Sequence, residues 1–108
     1  MAKFYRLDEN KNAVPCDVIE WHNCRQEMED KDKKHVARDS INDKYISTVW
    51  IGLNHQHEDK LPPLIFETMI FSEESGIDEY CDRYSTWDET LAGHQRAIEW
   101  VKNGCKDD

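Results

Sequence analysis

Two histidines two positions apart, His55 and His57, are followed at once by Glu58 and Asp59. Imidazole and carboxylate groups at this spacing could supply part of a ligand set for a borderline metal such as zinc. Adjacent loop residues rarely close such a site alone, and no third ligand stands out elsewhere, so a solvated loop is the plainer reading. His94 is a second candidate. It falls among Leu91, Ile98 and Val101 at helical spacing, which favours a hydrogen-bonded core histidine over a ligand or a catalytic base. Glu67 is the third, a carboxylate in the middle of the run Leu-Ile-Phe-Glu-Thr-Met-Ile-Phe. Burying a carboxylate is costly unless it is paired or hydrogen-bonded, and Arg83, Arg38 and His94 could partner it. A structural ion pair, with Arg83 first, is the expectation. The alternative is a small-ligand or nucleotide-signal site formed by Glu67, Arg83 and His94. The chain carries no Gly-rich phosphate loop, nucleophile elbow or HExxH pattern, so no catalytic residue, metal or cofactor is assigned.

These residues need a scaffold, and residues 45–71 dominate it. The runs 45–54 and 64–71 are rich in β-branched and aromatic residues and have strand length. Pro62 and Pro63 lie at the start of the second run, since proline cannot donate to a ladder. An antiparallel hairpin follows, with apolar residues on both faces and therefore cover on at least part of each side. Gly52 points to a bulge or a close approach of another segment. Upstream, residues 4–7 and 13–15 flank a turn cluster at 8–12 and form a small terminal hairpin. Asp17 with Glu20 reads as a helix start, and Val18, Trp21, Cys24 or Arg25, and Met28 give its apolar stripe. Residues 35–41 suit a strand and 80–84 a short edge strand. Thr86 with Glu89 forms a regular capping box, Leu91, His94, Ile98 and Val101 make the stripe of the helix it opens, and Asn103-Gly104 stops it. The fold predicted is α+β, an antiparallel sheet of about four or five strands with two helices, 17–30 and 86–103, in a single domain spanning 1–108.

Charge is the strongest compositional signal. The formal net charge is −9, and residues 72–90 hold seven acids against Arg83 alone. Such a surface repels nucleic acid, whose phosphates need positive charge, and suits a basic protein surface. A solvated face that aids solubility is the bland alternative. Asp88 and Glu89 fall in the first turn of the second helix and favour its positive end. Glu73, Glu74, Asp78, Glu79 and Asp82 have no such role and are the candidate partner-binding residues. The four cysteines show neither CxxC nor zinc-like spacing, so free thiols are expected. No apolar run reaches a signal peptide or the ~20 residues of a membrane span.

The runs Ser47-Thr48-Val49-Trp50-Ile51-Gly52-Leu53-Asn54-His55, Pro63-Leu64-Ile65-Phe66-Glu67-Thr68-Met69-Ile70-Phe71, Arg83-Tyr84-Ser85-Thr86-Trp87 and Gly93-His94 stand in one order. Over about residues 45–94 this pattern resembles a group of small bacteriophage and prophage proteins. Asn54 replaces the Asp, and Thr90 the Ala, of that pattern. The group has no established active site, so no functional residue carries over. The resemblance implies a viral protein in the cytoplasm of a bacterial host. By analogy of class alone, such small acidic proteins act by occupying a host protein, anti-CRISPR-like or other counter-defence inhibitors among them. A non-enzymatic binder of a basic host protein is the leading expectation. An accessory phage protein with no direct host target is the weaker one.

Overall fold

The structure, a computed structural model, describes residues 3–31, 35–54, 56, 61–74, 76 and 78–105. Within them run β1 (Phe4–Leu7), β2 (Ala13–Cys16), α1 (Val18–Asp30), β3 (His35–Ile41), β4 (Lys44–Trp50), β5 (Phe66–Ser72), β6 (Asp78–Tyr84) and α2 (Trp87–Lys102). The fold is α+β, with an antiparallel four-stranded sheet in the order β3-β4-β5-β6 and a separate β1-β2 hairpin. The two apolar runs do pair, with Thr48 opposite Thr68 and Trp50 opposite Phe66. Their ladder is shorter than the runs, because Gly52 turns the chain away at φ +66°. A Cβ at that position would overlap the Trp50 ring and meet the Trp21 indole. The close approach read from Gly52 is thus made by two tryptophans. The N-terminal hairpin docks on the same segment, Tyr5 N donating to Gly52 O at 2.8 Å and Asn54 N to Lys3 O at 2.8 Å.

Both helices begin at the residues that cap them. Asp17 accepts from Glu20 N at 2.8 Å, and Thr86 accepts from Glu89 N at 3.1 Å while its hydroxyl donates to the Glu89 carboxylate at 2.9 Å. Each side chain satisfies a helix N–H that has no intrahelical acceptor. α2 lies across all four strands of the sheet, whereas α1 packs on β1. The buried face of the sheet carries Ile46, Thr48, Trp50, Phe66, Thr68 and Ile70. Its other face is half-buried at Val49, Glu67, Met69 and Phe71, and no described residue there is fully buried. One face is thus fully covered and the other in part.

The stripe of α2 also differs from the expected one. Thr90, Gly93, His94, Ala97 and Val101 are buried, Ile98 is half-buried, and Leu91 is 44 % exposed. The reason is close approach. Gly93 lies against the ring of Tyr84, where a Cβ would overlap it, so the small residues face the sheet and the larger ones flank them. On α1 no residue is fully buried. Trp21, Cys24 and Met28 pack against the core, while Val18, expected in that stripe, is 52 % exposed.

Candidate functional site

His94 is the centre of the most organised polar cluster among the described residues. α2 carries it over the middle of the sheet, where it is 5 % exposed. Its Nε2 lies 2.7 Å from Asp39 Oδ2 on β3, and its Nδ1 lies 2.7 Å from Thr48 Oγ1 on β4. Thr48 Oγ1 is in turn 2.6 Å from Thr68 Oγ1 on β5. A carboxylate accepts only, so Nε2–H donates to Asp39. Nδ1 and the Thr48 hydroxyl share one hydrogen bond, and Thr48 and Thr68 share another. Tyr84 on β6 stands beside Thr68, but its buried hydroxyl makes no well-formed hydrogen bond. Desolvation by burial pushes the Tyr84 phenol up to about 12, against a smaller lowering by Thr68.

Asp39, His94 and Thr48 have the connectivity of a hydrolase triad with threonine as nucleophile. One observation argues against that chemistry: Thr48 is fully buried, so its hydroxyl is closed off from a substrate. The cluster instead separates two apolar groups of the core. Trp50, Ile65, Phe66 and Tyr84 lie on one side, and Ile46, Ile70, Ala97 and Val101 on the other. A satisfied polar seam of this kind fixes how a helix sits on a sheet, because sliding the helix would leave buried groups unpaired. His94 is the hydrogen-bonded core histidine that its spacing suggested.

The Tyr84 environment has a consequence at high pH. The folded phenol titrates above its ordinary value, so its contribution to stability is complete below about pH 10 and is lost as pH rises through about 12. We expect this loss to reach about 2–3 kcal/mol, at ~1.4 kcal/mol for each pKa unit. Chemical denaturation at neutral and alkaline pH should show it in the native chain, and Tyr84→Phe should lose that part of the pH dependence.

Glu67 and Arg83 face each other across β5 and β6 in register. Arg83 Nε donates to Glu67 Oε2 at 3.0 Å, with the glutamate side chain 15 % and the arginine 40 % exposed. The Cys81 thiol lies 3.8 Å from the same carboxylate oxygen. The cross-strand partner expected from the sequence is the one observed. The pair sits on the half-buried face, however, and His94 sits on the opposite one. Glu67, Arg83 and His94 therefore do not line one site. A double-mutant cycle of Glu67→Gln and Arg83→Met should give a coupling of about 0.5–1.5 kcal/mol, modest because the arginine is partly solvated. A coupling near zero in denaturation midpoints would show that the pair is incidental.

The acidic stretch resolves into unlike parts. Glu73 and Glu74 are exposed in the turn between β5 and β6. Glu73 N donates to Asp43 O at 2.8 Å, which ties this turn to the β3–β4 turn and brings exposed Asp43 to the same end of the sheet. Asp82 lies on the helix side of β6, its Oδ1 accepting from Arg83 N at 2.9 Å and its Oδ2 4.0 Å from Arg96 Nη2. The side chains of Asp78 and Glu79 lie outside the described residues, as do His55, His57, Glu58 and Asp59. Among the described residues no three His, Cys, Asp or Glu side chains gather as for a metal ion. The four cysteines form no disulfide, and burial, ahead of nearby carboxylates, raises the Cys16 thiol. No described helix is long and apolar enough to cross a membrane.

Sequence reasoning missed Asp39, Thr48 and Thr68 as partners of His94, and Asp43 as a neighbour of Glu73. The available signal for the threonines was their alternation with Ile46, Trp50, Phe66 and Ile70 on the buried sides of β4 and β5. For Asp39 there was none, since it meets a residue 55 positions away. No family model, curated protein or solved structure matches this chain.

Proposed function

We propose that this is a non-enzymatic binding protein of bacteriophage or prophage origin, which acts in the bacterial host by occupying a basic surface on a host protein. The observation that carries this reading is the pairing of two turns at one end of the sheet, which holds Asp43, Glu73 and Glu74 together and exposed. β6, an edge strand, continues from that end with Asp78, Glu79 and Asp82 in its sequence. A fixed array of carboxylates speeds encounter with a basic surface and excludes acidic partners. Such a surface on a host complex that otherwise holds nucleic acid is the most complementary target. The resemblance over residues 45–94 supplies the phage setting, and inhibition of a defence complex is the role that setting favours.

The test is a paired capture from bacterial lysate. The native chain and a variant with Glu73→Gln, Glu74→Gln, Asp78→Asn, Glu79→Gln and Asp82→Asn serve as baits, with unchanged circular dichroism confirming the fold of both. The reading predicts a host protein enriched by the native bait and lost from the neutralised one. Equal recovery by both baits would refute the acidic surface as the binding element.

A further inference from the structure

A second surface stands apart from the acidic turn and shares no residue with it. Two open clefts, of about 630 and 600 Å³, lie on either side of Trp87, and both are bordered by Lys11. The first is walled by Tyr5, Pro15, Pro62, Pro63 and Trp87. The second carries Asp8, Glu9 and Glu27 beside Leu7 and Met28. Their shared rim is the β1–β2 turn. Asp8 Oδ1 accepts from Asn10 N and Asn12 N, both at 2.9 Å, and the Asn12 N–H in particular holds the Asp8 carboxyl below its usual range. That turn places Lys11 in the left-handed region at φ 67°, with its ammonium 5.3 Å from the Trp87 ring centroid. Trp87 itself is braced edge-on against Phe66, centroids 6.1 Å apart.

The geometry points to one groove that binds an extended, proline-containing peptide with a basic residue at one end. Three observations carry this. Flat proline and aromatic walls match the ridged surface of a polyproline II segment, which loses little entropy on binding because it is already ordered. The Trp87 indole N–H donates to no atom of the described residues, while a polyproline II backbone has carbonyls with no internal donor. Beyond Trp87, Asp8, Glu9 and Glu27 border the second cleft with Lys11 and His35, and with Lys31 on Glu27 the balance is three carboxylates to two lysines, which suits an arginine or lysine on the ligand and opposes an acidic one. Even with Glu27 already bonded to Lys31 at 2.7 Å, exposed Glu9 remains at that end.

The probe is a capped, fluorescently labelled peptide of about seven residues, ~22 Å long in this form, with two prolines separated by two residues and a terminal arginine. Against the native chain it should bind saturably. Exchanging its arginine for glutamate, or both prolines for alanine, should weaken binding by roughly tenfold or more, about 1.4 kcal/mol. In the protein, Trp87→Phe keeps the ring and removes the donor, and should weaken binding by about fivefold. Glu9→Gln with Glu27→Gln should weaken the arginine peptide and leave an alanine-ended one unchanged. No saturation up to about 1 mM, a binding free energy of only ~4 kcal/mol, would overturn the proposal. So would binding that is indifferent to the peptide's prolines, or to all of these substitutions in the protein. Either result leaves the acidic-turn reading untouched, because that reading is tested by a different variant.

Discussion

His94→Ala should destabilise the fold by about 2–4 kcal/mol, a loss that combines a broken buried hydrogen bond at Thr48 with a cavity under α2. The buried imidazole bonds Asp39 and Thr48 at 2.7 Å each, and Thr48 and Thr68 are both fully buried. Without the ring, Thr48 keeps only Thr68 among the partners observed here. Asp39→Asn should cost much less, about 0.5–1 kcal/mol, because its side chain is 48 % exposed and water can replace the lost bond. Urea denaturation of the two variants tests this ranking of the seam's members. Near-equal losses for the two variants would contradict the seam as described.

Ile70→Ala should cost about 2–5 kcal/mol, since the residue is fully buried between sheet and helix with Ile46, Ala97 and Val101. Ile98→Ala should cost clearly less, about 1 kcal/mol, because Ile98 packs against that cluster from its half-exposed flank. The ordering of the two is the informative quantity. Apolar periodicity alone ranks Ile98 as a core residue. The structure ranks it below Ala97, whose small side chain allows the helix to come close. If Ile98→Ala proves the more damaging, α2 is rotated relative to the arrangement described here.

This contrast shows what the sequence could convey. Strand-length apolar runs, capping side chains and a carboxylate in the middle of an apolar run are local signals, and they located the hairpin, both helix starts and the Glu67–Arg83 pair. Helix rotation is not a local signal. Leu91 and Ile98 look like core by type, but Gly93 sets the contact because the Tyr84 ring occupies the space a larger side chain would need, and Ala97 follows it on the buried face. The His94 seam was half legible, as a buried histidine without its partners. Its bonds join α2 to β3 and β4, and nothing in the spacing of Asp39, Thr48 and His94 announces that they meet. The same holds for Asp43 and Glu73, which belong to different turns and are joined by one backbone hydrogen bond.

The central claim is that the acidic end of the sheet recognises a basic protein surface, and its ionic-strength dependence is the most direct measure of it. Affinity of the native chain for the captured host protein, followed by titration calorimetry from about 0.05 to 0.3 M salt, should fall by roughly tenfold as screening shortens. The variant neutralised at residues 73, 74, 78, 79 and 82 should bind weakly and respond little to salt. Equal affinity and equal salt dependence in the two proteins would contradict the account.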